Sequence, residues 1–327
     1  WVNAIPVSGI KKLRRVYGAS ASEVWAAGDP SVVLRFDGRR WARVPGEIRG
    51  ALPGVFASTG EAWAAGDSGI LHFDGNTWAY EVIPMASMLR AVWGSGPADL
   101  WAVGKTGTIV HRQRQTGVWS NEIQITDNNL VSIWGSSPSN VWVVGFRGTL
   151  LHYDGKEWLA VESGTKRNLY AIWGNSPSDV WVVGQAGTLL HFDGNMWSAL
   201  DRGAVGITTE LNGVWGSARD DIWAVGDQGL ILHFNGESWN NMADGSVRVA
   251  LNDIWGASRS DVWAVGVGGV MMHLGGPVGD LSQPETMAAF PSLSLLAPDG
   301  GTTLASSAPV PELGKEVLKN SPPIAEK

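Results

Sequence analysis

The sequence predicts an all-β protein, a seven-bladed β-propeller of four-stranded blades, and three observations carry that reading. A tryptophan recurs at Trp25, Trp63, Trp101, Trp142, Trp181, Trp223 and Trp263, at intervals of 38 to 42 residues, the length of one blade and too long for a leucine-rich repeat. Glycine (43) and tryptophan (19) are abundant while charged residues make up only 17%, a profile of short strands and tight turns. The surroundings of each tryptophan repeat as Leu-x-x-(Val/Ile)-Trp-Gly, a Ser/Pro/Asp turn, Val-Trp-Ala-Val-Gly-x-x-Gly, and Leu-Leu-His-Phe-Asp-Gly-x-x-Trp.

Within a copy, glycine and Pro/Asp/Ser punctuation separates four runs rich in β-branched and aromatic residues. In the sixth copy the innermost strand is expected at 211–216, the second at 221–226, the third at 230–234, and the outer strand begins near Trp239. Ser-Pro-Ser-Asp segments such as Ser176-Pro177-Ser178-Asp179 read as turns between the first two strands. The Gly-x-x-Gly segment reads as a two-residue hairpin, and Asn235-Gly236 as the turn into the outer strand, because positive φ costs little there.

Every tryptophan has a place in this frame. Five lie on innermost strands at Trp93, Trp134, Trp173, Trp215 and Trp255, with Tyr17 and Phe56 in the first two copies. Six open outer strands at Trp41, Trp78, Trp119, Trp158, Trp197 and Trp239. Trp1 is left over, and the seventh copy ends at Gly276 without its outer strand. Trp1 and the residues after it, to Val7, are therefore expected to supply that strand and remove the open edge.

The propeller is expected to span 1–276. Half of the 16 prolines and no tryptophan fall in 277–327, so that Pro/Ser/Gly-rich segment reads as a disordered tail or linker whose run 290–296 could dock on a partner or the propeller.

Composition narrows the function classes. A net charge of −7 gives no general attraction to nucleic acid. The absence of cysteine excludes disulfides and thiol chemistry, and no run approaches the roughly 20 apolar residues of a membrane span. The chain opens on Trp1 without a charged, apolar leader. That reads as a processed product or an excised fragment, and points to a secreted, periplasmic or cell-surface location.

The turn His152-Tyr153-Asp154-Gly155-Lys156-Glu157-Trp158 is similar to the Asp-box or BNR repeat of many propellers. Over 1–276 the unit resembles the Trp-rich propellers of secreted and surface proteins in myxobacteria and their relatives. More distantly it resembles the photosystem assembly-factor propellers. The resemblance implies the fold and leaves activity open.

Repeated polar residues favour structural roles. His72, His111, His152, His191, His233 and His273 share one repeat position, with Arg35 in the first copy; six separate blades cannot bring them to one ion, so a hydrogen bond near the Asp turn is expected. Asp37, Asp74, Asp154 and Asp193, with Asn235, each belong to their own blade, where a carboxylate accepting backbone N–H bonds fixes the turn. No metal, cofactor or catalytic set is expected. Lys11, Lys12, Arg14, Arg15, Arg35, Arg39, Arg40, Arg43 and Arg49 crowd the first 50 residues and could engage an acidic protein patch or anionic polymer.

The leading expectation is a non-enzymatic binding scaffold with a protein partner. A lectin would show several equivalent aromatic pockets between blades, and a glycoside hydrolase or lyase an acid pair or an Arg cluster with Tyr at the axis. Binding is expected where positions vary beside fixed ones. Directly after the fixed leucine of the innermost strand stand Arg14, Pro53, Arg90, Val131, Tyr170, Asn212 and Asn252. The Gly-x-x-Gly turns on the same face carry Lys105, Phe146, Arg147, Gln185 and Asp227. Together they predict a partly cationic channel mouth for an acidic loop, a carboxylate or a sulfated sugar.

Overall fold

The structure is a computed structural model and describes residues 1–4, 9–83, 88–122, 124–200 and 207–275. The expected boundary at 276, the tail and the last residues of the closing segment lie outside the described residues. Seven four-stranded antiparallel sheets form the ring. Their innermost strands are Lys12–Ser20, Gly54–Ser58, Leu89–Gly96, Leu130–Ser137, Leu169–Ser176, Leu211–Ala218 and Leu251–Ser258. Blade 6 continues with Asp221–Gly226, Ile231–Phe234 and Trp239–Asn241, close to the expected bounds. Among the described residues no helix is long and apolar enough to cross a membrane.

Blade 7 is composite, as the leftover Trp1 implied. Val2–Ala4 pairs antiparallel with Met271–Leu274, in the register Val2↔His273 and Ala4↔Met271. A further backbone bridge, Lys12↔Val267, and the bond from Gly268 N–H to Lys11 C=O at 2.8 Å cross from blade 7 to blade 1.

Two aromatic layers hold blade to blade. Six of the seven second-strand tryptophans meet the outer-strand tryptophan of the next blade edge to face: Trp25 with Trp78, Trp101 with Trp158, Trp142 with Trp197, Trp181 with Trp239, Trp223 with Trp1 and Trp263 with Trp41, at centroid separations of 5.1–5.9 Å. Such a pair adds about 1 kcal/mol beyond its area burial. Between blades 2 and 3 the pattern changes. There Glu81 accepts from both indoles, Trp63 at 3.2 Å and Trp119, and Arg112 stands 3.4 Å away where blades 1, 2 and 4 to 6 end their third strand on an aromatic ring.

Nearer the axis, the innermost-strand rings form a wheel. A Cβ built on Gly135, Gly174 or Gly256 would fall 2.5–2.6 Å from the indole of Trp93, Trp134 or Trp215 in the preceding blade. These glycines are required by close approach. Where the ring is the smaller Tyr17, the next blade carries Ala57 instead, packed in the same cluster.

The polar repeats are structural, and only the Gly-x-x-Gly turn departs from expectation. Each histidine bonds through Nε2 to the residue opening the second strand, 2.6–2.9 Å from Glu61, Asp99, Asn140, Asp179, Asp221 or Asp261. The partner stands beside the Asp turn, as expected: a Cβ on the turn's Gly155 would fall 2.7 Å from Ser139, the residue before Asn140. The ring lies flat on the second-strand tryptophan, 3.8–4.6 Å between centroids, which aims Nε2 at the strand-opening residue. Arg35 does the same with Glu23 at 2.9 Å, over Trp25.

The Gly-x-x-Gly connection is a two-residue turn only in blade 2, where Gly66 pairs Gly69. In blades 3 to 7 three residues close it, as in the 2.9 Å bond from Gly104 N–H to Thr108 C=O. The residue before the glycine itself turns left-handed, at Thr106, Arg147, Ala186 and Gln228 with φ of 50° to 61°, which lets the glycine follow with positive φ and adds one residue to the loop.

The Asp turns are as expected. Oδ1 of Asp154 accepts from Lys156 and Glu157 N–H at 2.9 and 3.0 Å, and Asn235 makes the same pair of bonds. Those backbone donors hold the carboxyls of Asp74, Asp154 and Asp193 below the usual carboxylate range. A depressed folded-state value gives stability that is present above the unfolded-state value and is lost as pH falls through the folded one. The triple change of these aspartates to asparagine, the residue blade 6 already uses, is expected to keep the neutral-pH melting temperature and flatten its fall in acid; an unaltered acid limb in thermal melts by circular dichroism would refute this origin.

Candidate functional site

The innermost strand explains why one residue per blade points into the mouth. In blades 1 and 3 to 7 the pairing with the second strand slips between the fixed leucine and the residue two further on, as between Leu89 and Ala91. Arg14, Arg90, Val131, Tyr170, Asn212 and Asn252 are the extra residues of these bulges, and a bulge re-aims the side chain it carries. All six, with Pro53 of blade 2, line one cavity of about 300 Å³ at the channel mouth, together with Phe146. The cavity also takes Lys12 and Arg15, expected only within the basic cluster of the first blade, and Asn129, which the sequence reading missed. Lys12 and Asn129 directly precede the fixed leucines, so that position was the available signal.

Lys105, Arg147, Gln185 and Asp227 do not line the cavity; their turns are tied beside it. Asn129 Oδ1 accepts from Thr106 N–H at 3.1 Å, Asn168 Oδ1 from Arg147 N–H at 3.0 Å, and Gln185 Oε1 from Asn168 N–H at 3.1 Å. Asp227 accepts from Asn212 Nδ2 at 3.0 Å.

The electrostatics differ from a simple cationic ring. Arg14 is paired with Asp29, Nη2 to Oδ2 at 2.6 Å and Nε at 2.8 Å. Asn212 and Asn252 spend their amide N–H groups on the backbone carbonyls of Leu251 and Leu13 in the next blade, at 2.9 and 2.6 Å. Arg90 has no hydrogen bond or ion pair among the described residues. Lys12 is pushed below its ordinary value by burial and by neighbouring Arg14. Tyr170 is raised by burial, with Glu210 adding to the rise. One arc thus offers Arg90, Lys12 and the apolar Phe146, Val131 and Pro53.

Beneath the mouth lies a chamber of about 260 Å³ walled by Tyr17, Trp93, Trp134, Trp173, Trp215 and Trp255. Burial drives Tyr17 up to about 12. Arg15 separates the two spaces. Its Nη1 lies 3.3 Å from Asp253 Oδ1 in blade 7, and its Nη2 donates across the channel to Val131 C=O in blade 4 at 3.2 Å. Asp253 also accepts from Val16 N–H at 2.9 Å; burial still outweighs Arg15 and raises its carboxyl. Among the described residues no group of three or more histidine, aspartate or glutamate side chains could hold a metal ion.

A comparison with solved structures places this ring among known propellers. YCF48 from Cyanidioschyzon merolae superposes with a TM-score of 0.70 at 17% identity, covering 84% of this chain and 98% of that one. The chain shares their fold. YCF48 bound to D1 peptide gives 0.67 at 15% identity, with 84% and 96% covered. The WD40 propeller domain of Doa1 gives 0.69 at 11% identity, with 86% and 98% covered. The expected likeness to photosystem assembly-factor propellers is met at the level of fold. No family model matches the chain, and no curated protein does.

Proposed function

We propose that the protein is a non-enzymatic scaffold whose channel mouth holds an extended acidic segment of a partner protein, its carboxylate at Arg90 and Lys12 and an adjacent apolar side chain against Phe146, Val131 and Pro53. The observation that carries this is the convergence of the bulged residues of six blades on one cavity in which Arg90 keeps no counter-charge among the described residues. A structurally similar propeller, YCF48, is seen bound to D1 peptide, which supports a peptide as guest.

Arg14, Arg15, Arg90 and Tyr170 do share the mouth, the grouping stated above for glycoside chemistry. Two of the arginines are held by Asp29 and Asp253, and a phenol raised by burial is a poorer nucleophile source at neutral pH. Binding without turnover fits that arrangement better. A site in the cell envelope or outside the cell rests on the resemblance of the repeat to secreted and surface propellers, and fractionation of the source cell tests it.

Selection from a displayed peptide library is expected to enrich Asp or Glu next to an aliphatic or aromatic residue. Changing Lys12 and Arg90 together to alanine should weaken the selected peptide at least tenfold by fluorescence anisotropy, in a salt-dependent way. Equal binding of a charge-reversed peptide would overturn the reading.

A further inference from the structure

Away from the channel, blades 5 and 6 enclose a cavity of about 460 Å³ lined by Trp181, His191, Ser198 and Leu200 of blade 5 and Arg219, Asp220, Phe234 and Gly236 of blade 6. We infer that this interblade pocket is a binding site for a neutral pyranose ring, a ligand class distinct from the acidic segment assigned to the mouth.

The walls are aromatic. Trp181 and Phe234 stand 5.5 Å apart at 48°, and the His191 ring lies on Trp181 at 4.1 Å. Trp181 is buried under His191, so the His191 and Phe234 rings are the partly exposed faces that can cover the C–H face of a sugar, while its hydroxyls need both donors and acceptors. Both are present: the Arg219 guanidinium, the Asp220 carboxylate and the Ser198 hydroxyl line the cavity.

Behind the wall lies a polar group without a full set of partners. Asp179, its side chain 1% exposed, accepts through Oδ1 from Trp181 at 3.1 Å and from His191 at 2.7 Å, while its Oδ2 is buried without a hydrogen bond. The nearest cation is Arg219 Nε at 3.9 Å, too far to donate. A buried unsatisfied carboxylate oxygen is costly, and a guanidinium poised between it and the cavity can bond a ligand hydroxyl on its outer side.

Charge decides the class. Arg219 and Arg259 face Asp179 and Asp220, with Arg259 directly paired to Asp220. In the lining itself one cation, Arg219, stands against one anion, Asp220, which selects neither an anion nor a cation and leaves a neutral, hydroxyl-rich ring with an apolar face. The lectin expectation of several equivalent pockets between blades is not needed. Blade 4 has the bulky Leu159 where blade 5 has Ser198, and blade 5 has Pro177 where blade 6 has Arg219, so this interface carries its own lining.

The full chain is titrated with methyl α-glucoside, methyl α-mannoside and methyl β-galactoside, with glucuronate and glucosamine as charged comparators, by calorimetry and saturation-transfer difference NMR. At least one neutral glycoside should bind with a dissociation constant of about 1 mM. Ser198→Leu and Arg219→Pro, each copying a neighbouring blade, should weaken it roughly tenfold or more without moving the melting temperature. Arg90→Ala, which tests the mouth, should leave it unchanged. No binding of any neutral glycoside at about 50 mM, full affinity in Ser198→Leu, or tighter binding of a charged sugar would each overturn the assignment.

Discussion

Deleting residues 1–4 should lower the melting temperature by roughly 10 °C and turn a soluble ring into an aggregation-prone one. The segment gives blade 7 its outer strand and places Trp1 edge-on against Trp223 at 5.5 Å. Losing a partly buried tryptophan costs about 3 kcal/mol. The deletion also bares the edge of Met271–Leu274, a template for pairing with another chain. Trp1→Ala alone should carry much of the thermal loss without the aggregation, because Val2–Ala4 still covers the edge. Differential scanning calorimetry with light scattering reads both effects, and a melting temperature within about 2 °C of the parent would mean that closure does not depend on this strand.

An equally large loss is expected from a single methyl group. In Gly174→Ala the new Cβ would meet the Trp134 ring at 2.5 Å, so the indole or the strand must shift out of the wheel's packing. Overpacking of this kind costs about 3 kcal/mol, a fall of roughly 6–12 °C. The ring itself supplies the rescue: Tyr17 faces Ala57 where five other blades set tryptophan against glycine. Trp134→Tyr combined with Gly174→Ala should therefore recover much of what the alanine alone loses. A double-mutant cycle measures this coupling, and strict additivity would refute the wheel.

What could be read from the sequence follows from what repeats. Blade number, strand order and the closing role of Trp1 were visible because seven copies make any departure conspicuous. The seven residues after the fixed leucines were correctly placed at one mouth for the same reason. What escaped was either non-local or conformational. Asp29 lies 15 residues from Arg14 and Asp253 lies 238 from Arg15, and neither belongs to the repeat, so a mouth read as a sum of arginines came out too positive. The bulge that aims Arg90 inward, and the left-handed residue that lengthens the turn at Arg147, leave no mark in residue type. The histidine partners did leave one. An acid or amide stands two residues before each second-strand tryptophan, and Glu23 stands there where Arg35 replaces histidine.

Arg15 gives the ring a mechanical property that its blades alone do not. Contacts between neighbouring blades resist separation but do little to stop a hoop from being squeezed into an ellipse. A guanidinium reaching from blade 1 to Asp253 beside it and to Val131 on the far wall acts as a spoke set across the diameter. Flattening along that line shortens it and widening breaks it, so the bore keeps a round cross-section, and the separation between opposite walls of the mouth is set by the length of one arginine side chain.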